Sequence, residues 1–230
     1  MHADEPTRIP TLMAALQAAW EGQPDLTLPA FIGMLHNQGM SWATTDEELL
    51  SILQRIRGQH PPLVTGCLPG PLLITTTSPR QLVTLTDDVA LVRSGDDPQR
   101  MPSVWQFSHF RPLGPGRPVV LADSEAVEHR LGVAELLTVL DAHAAPSPQG
   151  IRRDDIGLTR WLVQFEAGGR ALLGPRLWVW SPQRRDTIVE TIAWNQVLTL
   201  TRGEKMRIAP VGGGEPLVLG RVENLYLLEV

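Results

Sequence analysis

The first quarter of the chain contains three stretches in which apolar residues recur every three or four positions, the period of an amphipathic helix. The second and third stretches begin at good N-terminal caps: Thr27 precedes one, and Thr44 or Thr45 precedes the other, with a glutamate three residues on as in a capping box. The apolar stripe of the first stretch consists of Ile9, Leu12, Met13, Leu16 and Trp20. The predicted helices span 8–21, 28–38 and 46–57.

A proline-rich break separates these helices from runs that are typical of β-strands. Residues 59–71 contain four prolines and two glycines, which prevent a helix or a central strand there. The runs 72–77, 81–86 and 89–93 are short and closely spaced, and they predict an antiparallel meander. Two further strand-like runs, 104–110 and 119–121, come next. One more helix is then predicted to begin at Asp123 or Ser124, and its apolar stripe consists of Val133, Leu136, Leu137 and Leu140.

A second break falls at residues 144–150, whose small, polar and proline-containing sequence is typical of a linker. Eight strand-like runs follow at close spacing, as in a small β-barrel or sandwich. The sequence therefore predicts an α+β protein. Residues 1–143 hold a three-helix segment packed on the antiparallel β-meander with its closing helix, and residues 151–230 form a β-rich domain. No internal repeat at a fixed period is evident.

Composition places the chain among globular proteins. Of its 230 residues, 43% are apolar and 20% are charged, and the net charge is −5. No apolar run approaches the ~20 residues needed to cross a bilayer, and a single cysteine cannot form an internal disulfide. We therefore expect a cytoplasmic protein with no membrane partner. Nineteen arginines against one lysine point to a bacterial genome rich in G and C.

No catalytic motif is evident, and we expect neither a cofactor nor a metal. The sequence has no phosphate-binding loop ending in Lys-Ser/Thr, no Gly-x-Ser-x-Gly elbow, no His-Glu-x-x-His and no Cys-x-x-Cys. Cys67 and His60 lie in one proline-rich segment and are the minimum for a thiolate nucleophile, but a single cysteine is more often a small buried hydrophobe. Glu125 and His129 have the i, i+4 spacing of ligands on a helix, which fits a surface pair better.

The stretch from Arg176 to Arg185 is the strongest candidate for a binding site. In a strand, alternation puts Arg176, Trp178 and Trp180 on one face and the aliphatic residues between them on the other. If the aliphatic face is core, this face, with Arg184 and Arg185 in the following turn, can stack on a nucleobase or anchor a protein partner. The alternative is that the tryptophans fill the core, because large aromatic residues are usually buried.

Three helices followed by a hairpin also have the order of a winged-helix DNA-binding domain. A recognition helix presents its first turn to the DNA, and here that turn is Asp46-Glu47-Glu48. Residues 1–58 carry seven acids and three bases, whereas residues 151–230 carry nine acids and eleven bases. The charge therefore disfavours nucleic acid as the partner of the helical segment.

A short motif marks the end of the first predicted helix. Leu16-Gln-Ala-Ala-Trp20 is followed by Pro24-Asp25-Leu26-Thr-Leu28 and Phe31. Residues 8–38 thereby resemble the opening of the small helical YihD-like bacterial family, in which an amphipathic helix ends in Ala-Trp before a Pro-Asp-Leu turn. The resemblance implies a helical N-terminus and no particular activity.

The sequence thus favours a bacterial, non-enzymatic binding or accessory module with a protein partner, which it contacts through the Arg/Trp strand. Two other functions stay open. One is a DNA-binding transcriptional regulator that uses the winged-helix-like segment. The other is an enzyme whose site is assembled from residues distant in sequence, and a deep polar pocket near His60, Cys67 or His109 would be its first sign.

Overall fold

A computed structural model describes residues 6–184 and 186–230 of the chain. Within these residues it contains three α-helices and two antiparallel seven-stranded sheets, so the α+β class is confirmed. The helices are α1 (Arg8–Glu21), α2 (Leu28–Asn37) and α3 (Asp46–Gln59). The strands of the first sheet are β1 (Leu72–Thr77), β2 (Gln81–Thr86), β3 (Val89–Ser94), β4 (Ser103–Gln106), β5 (His109–Phe110), β6 (Pro118–Ala122) and β7 (Glu128–Val139). The strands of the second sheet are β8 (Arg160–Phe165), β9 (Arg170–Leu173), β10 (Leu177–Pro182), β11 (Thr187–Ile192), β12 (Trp194–Thr199), β13 (Lys205–Pro210) and β14 (Leu217–Glu229).

The helices begin where local capping places them, and they share a small core of their own. The backbone N–H of Thr45 donates to Glu48, and the N–H of Glu48 donates back to the Thr45 hydroxyl, which completes the capping box of α3. The indole N–H of Trp20 donates to Leu26 O at 2.7 Å, and its ring stacks on Phe31 with centroids 6.3 Å apart. The α1–α2 connection is therefore fixed by the Trp20 side chain.

The apolar stripe of α1 is rotated from the predicted one. Ile9 and Met13 are 61% and 55% exposed, and the buried face carries Ala19, with Leu12 and Leu16 packed beside it. The buried face of α1 is therefore set by its packing partners and not by side-chain size alone.

The first sheet has the strand order β4-β3-β2-β1-β7-β6-β5 and is strongly curled. Its two edge strands, β4 and β5, are separated by only two residues along the chain. The ring centroids of Trp105 on β4 and His129 on β7 are 4.8 Å apart. In a flat sheet, four strand spacings of ~4.8 Å would separate these two strands by about 19 Å. The concave face holds a core that includes Leu72, Ile74, Val83, Leu85 and Leu137.

The predicted closing helix after Asp123 is wrong, because Glu128–Val139 forms strand β7. Asp123 caps a tight turn instead, in which its Oδ1 accepts from Glu125 N and Val127 N at 2.9 and 3.0 Å. His129 is then on a strand, and its Nε2 lies 2.8 Å from Asp123 Oδ2. Glu125 and His129 are therefore not the helical pair that their spacing suggests.

The second sheet repeats the topology of the first. Its strand order is β11-β10-β9-β8-β14-β13-β12, in which each strand number is seven higher than the number at the same place in the first sheet. The last strand of each sheet in chain order, β7 or β14, is long and pairs with two others. The first part of β7 pairs with β6 and its second part with β1. In the same way, the first part of β14 pairs with β13 and its second part with β8. Four matched residue pairs lie 88 positions apart in these last strands, namely Leu131 and Leu219, Gly132 and Gly220, Glu135 and Glu223, and Leu137 and Leu225. The chain thus contains two copies of one seven-strand unit, a repeat that the sequence alone did not reveal.

The chain divides into two compact units, each with its own sheet. The first unit comprises Met1–Asp96 and Ser103–Val139, and the second comprises Asp97–Pro102 and Leu140–Val230. The second unit includes the predicted linker, where Gln149 donates to Leu198 O at 3.1 Å and accepts from Leu200 N at 2.6 Å. The second unit also includes the short segment Asp97–Pro102, although this segment follows β3 of the first unit along the chain.

Candidate interaction surfaces

The predicted Arg/Trp surface lies on β10, and only part of it is exposed. Leu177 and Val179 pack in the core of the second unit, on the face that strand alternation assigns to them. On the opposite face, Trp178 is half-buried, whereas Trp180 is only 1% exposed. The second tryptophan is therefore not accessible to a partner.

A segment of the same unit covers Trp180. The indole N–H of Trp180 donates to Gln99 O at 2.6 Å, and Arg170, its neighbour on β9, donates to Pro102 O. The Trp178 ring stacks on Trp180 with centroids 6.4 Å apart and an interplanar angle of 18°. Burial lowers the pKa of Arg170 from its ordinary value. The residue pair Trp180 and Arg170 thus holds the segment Asp97–Pro102 on the sheet.

Two arginines of the predicted surface lie at the two ends of β10. Arg176 precedes the strand and is exposed, and Arg184 is exposed in the turn that follows. Arg185 lies outside the described residues. Of the predicted surface, the half-buried Trp178 and the exposed Arg176 and Arg184 remain accessible, and the two arginines lie at opposite ends of the strand.

A different tryptophan, Trp42, is fully exposed. It lies in the connection between α2 and α3, and its relative exposure of 102% means that no part of the side chain packs on the protein. An indole in water adds nothing to the core, yet tryptophan is strongly enriched among the residues that dominate the binding energy of interfaces. Trp42 was missed at the sequence level because it lies outside every apolar stripe, in a polar loop.

Hydrogen bonds on both sides fix the turn that carries Trp42. Ser41 N donates to the Thr44 hydroxyl at 2.8 Å, and Thr44 N donates to Ser41 O at 3.2 Å. Before the turn, Arg55 of α3 donates to the backbone and side-chain oxygens of Gln38 at 3.2 and 3.1 Å. The turn leads directly into the capping box of α3. The indole is therefore presented from an ordered backbone.

The surroundings of the turn are acidic. The first turn of α3 carries Asp46, Glu47 and Glu48. Hydrogen bonds from the backbone and side chain of Thr45 hold the pKa of Glu48 below its ordinary value, and Asp46 pairs with Arg8. An open groove of about 480 Å³ lies beside the turn. Its lining consists of Gly39, Ser41, Ala43, Thr44, Glu48, Ser51 and Ile52.

A third feature is a cavity of about 400 Å³ in the first unit. Cys67 and His109 both line it, together with Asp87. His60 is not in the lining, and its Nδ1 lies 2.9 Å from Leu137 O on β7. The structure therefore brings Cys67 into one cavity with a different histidine from the one that sequence proximity suggests.

Among the described residues, 6–184 and 186–230, no group of three or more His, Cys, Asp or Glu side chains is arranged to hold a metal ion. Over the same part of the chain, no helix has both the length and the apolar character that spanning a membrane requires. Known protein families, curated proteins and solved structures give no match to this chain.

Proposed function

We propose that this protein is a non-enzymatic binding or accessory module that docks on a protein partner through Trp42. The observation that supports the proposal is the complete exposure of Trp42 on a hydrogen-bonded turn. In this proposal the helices pack on the first sheet, through contacts such as that of His60 with Leu137, and serve as the platform for the turn. In this proposal Trp180 has only a structural role, because its side chain is buried and holds Gln99.

The energy available from Trp42 is large enough to dominate an interface. A tryptophan buries about 150–250 Å², and at about 25 cal/mol per Å² its transfer from water is worth about 4–6 kcal/mol before the costs of association. Because the backbone of the turn is already hydrogen-bonded, little backbone entropy is lost at this position on binding, and ordering of the side chain costs only about 0.5–1.5 kcal/mol. One indole on a rigid turn can therefore act as the central contact of the complex.

The charge around Trp42 indicates the chemistry of the partner. The first turn of α3 is acidic, and residues 1–58 carry seven acids and three bases. Complementary charge favours encounter and the correct orientation of two surfaces. We infer a partner with an apolar pocket for the indole and basic residues at its rim. The same carboxylates repel phosphates, which is why a protein is preferred over DNA.

Photo-crosslinking from position 42 tests this function. We expect a benzophenone amino acid at Trp42 to give one discrete adduct in cells of the source organism. The matched control is the same amino acid at Leu158, which is 76% exposed and lies on the second unit. The adduct at position 42 should be reduced by Glu47→Lys, which reverses one acidic charge beside the turn. An equal pattern of adducts from both positions would refute the proposal.

A further inference from the structure

The cavity that contains Cys67 is built from three separate segments of the first unit. The loop before β1 contributes residues 66–68 and 70–71, and the turn between β2 and β3 contributes Asp87. Residues 107–110, which are the β4–β5 connection and strand β5, complete the lining. Its volume of about 400 Å³ lies within the usual range of small-molecule sites, about 300–1,000 Å³. The edge strands of the curled sheet meet at this connection, so the fold itself forms the cavity.

The hydrogen bonds of Ser108 favour one tautomer of the histidine in the lining. The Ser108 hydroxyl has one proton, and its shortest contact is to Asp123 O at 2.7 Å. His109 Nδ1 lies 3.2 Å from the same hydroxyl oxygen. If the hydroxyl proton goes to Asp123 O, then Nδ1 carries the imidazole proton and donates it to Ser108. In that tautomer, Nε2 of His109 is a hydrogen-bond acceptor.

The lining also contains a carboxylate, that of Asp87. Asp87 is exposed, and within the described part of the chain it makes no hydrogen bond or ion pair. Neither arginine nor lysine is among the residues that line the cavity. An acceptor imidazole and an uncompensated carboxylate favour a cationic hydrogen-bond donor over an anion.

The remaining surface of the cavity is apolar and aromatic. The rings of Phe107 and Phe110 are arranged edge to face, with centroids 6.4 Å apart and an interplanar angle of 63°. Leu68 and Pro71 complete the apolar part of the lining. Such surfaces bind an aromatic or aliphatic ring, and ring faces also attract cations.

We propose that the cavity beside the β4–β5 connection is a binding site for a small organic ammonium ion that carries an apolar ring. The ammonium group donates to the Asp87 carboxylate and to His109 Nε2, and the ring packs on Phe107 and Phe110. This site is independent of the Trp42 turn.

The test uses 2-phenylethylamine as the probe and the full chain. Because Cys67 is the one cysteine of the sequence and lines the cavity, the rate of its reaction with a maleimide reports occupancy. We expect 2-phenylethylamine to slow this reaction in a saturable manner and to give the same dissociation constant by calorimetry. 2-Phenylethanol and phenylacetate, which have the same ring without the positive charge, should bind at least about tenfold more weakly.

Two variants separate recognition by Asp87 from general charge. Asp87 has φ +47°, a conformation that asparagine tolerates well, so Asp87→Asn should fold normally. It should weaken amine binding at least about tenfold. Asp88→Asn is the matched control, because the Asp88 side chain is not in the lining. The proposal is overturned if the amine does not bind at millimolar concentration, if the alcohol binds equally well, or if both variants have the same effect.

Discussion

Replacement of Trp180 by alanine tests the distinction between a structural and a binding tryptophan. The side chain is 1% exposed, and its indole N–H donates to Gln99 O at 2.6 Å. Removal of a buried tryptophan side chain costs about 3–5 kcal/mol. We therefore expect Trp180→Ala to destabilise the second unit by about 4 kcal/mol. Because native domains are stable by only about 5–15 kcal/mol, this loss would be a large fraction of the total stability.

The matched variant is Trp42→Ala, which removes the same side chain from a fully exposed position. Exposed substitutions away from special features change stability by less than about 0.5 kcal/mol. Urea unfolding followed by far-ultraviolet circular dichroism measures both variants without relying on tryptophan fluorescence. A Trp180→Ala protein within about 1 kcal/mol of the wild type would contradict the burial of this indole, and the Arg/Trp strand would again be the stronger candidate for a binding surface.

Two further predictions concern a close helix contact and an acidic group. A Cβ on Gly22 would lie 2.0 Å from His60 O, so Gly22→Ala should lower the free energy of unfolding by more than about 1 kcal/mol. A Cβ on Gly58 in α3 would have no neighbour within 4 Å, so Gly58→Ala should raise the free energy of unfolding by about 0.5–1 kcal/mol. Thermal unfolding of the two variants measures both effects. Hydrogen bonds from His129 and from the backbone of Val127 hold the pKa of Asp123 below its ordinary value in the folded protein. The ionised group therefore stabilises the fold above the unfolded pKa of about 3.9, and this contribution is lost as pH falls through the lower folded pKa. The stability difference between the wild type and Asp123→Asn should become smaller as the pH falls through that acidic range, and a difference that does not depend on pH there would contradict the hydrogen-bond geometry of Asp123.

The helices could be predicted because their signals are local. Thr27 and Thr45 cap α2 and α3 within three residues of the groups they satisfy, and the apolar period of these helices does not depend on distant contacts. Long-range packing then decided which face of α1 is buried, which is why Ile9 and Met13 are exposed.

Strand β7 was predicted as a helix because Val133, Leu136, Leu137 and Leu140 have the spacing of a helical stripe, whereas the strand buries a different set of positions because it contains a β-bulge. In the pairing with β1, Leu136 lies opposite Thr75 and Ala134 opposite Thr76, so Glu135 is the extra residue. The bulge reverses the alternation at that point, and the fully buried positions become Ala134 and Leu137, three apart. A spacing of three is a helical spacing, and only the pairing partner distinguishes the two structures.

The candidate sites show the same limit of local patterns. Alternation placed Leu177 and Val179 on the core face of β10 correctly. It could not show that Gln99, 81 residues away, covers Trp180. The exposure of Trp42 was equally hidden, because tryptophan is usually buried and nothing in its polar loop marks an exception.

The central claim is that Trp42 is the main contact with a protein partner, and the most direct test is the affinity of the complex. Once the adduct from position 42 identifies the partner, isothermal titration calorimetry can compare the wild type with Trp42→Ala and with Leu158→Ala. We predict that loss of the Trp42 side chain weakens binding at least about thirtyfold, which corresponds to the ~2 kcal/mol typical of a hot spot, and that Leu158→Ala leaves it unchanged. Equal affinities of the wild type and the Trp42→Ala variant would contradict the claim.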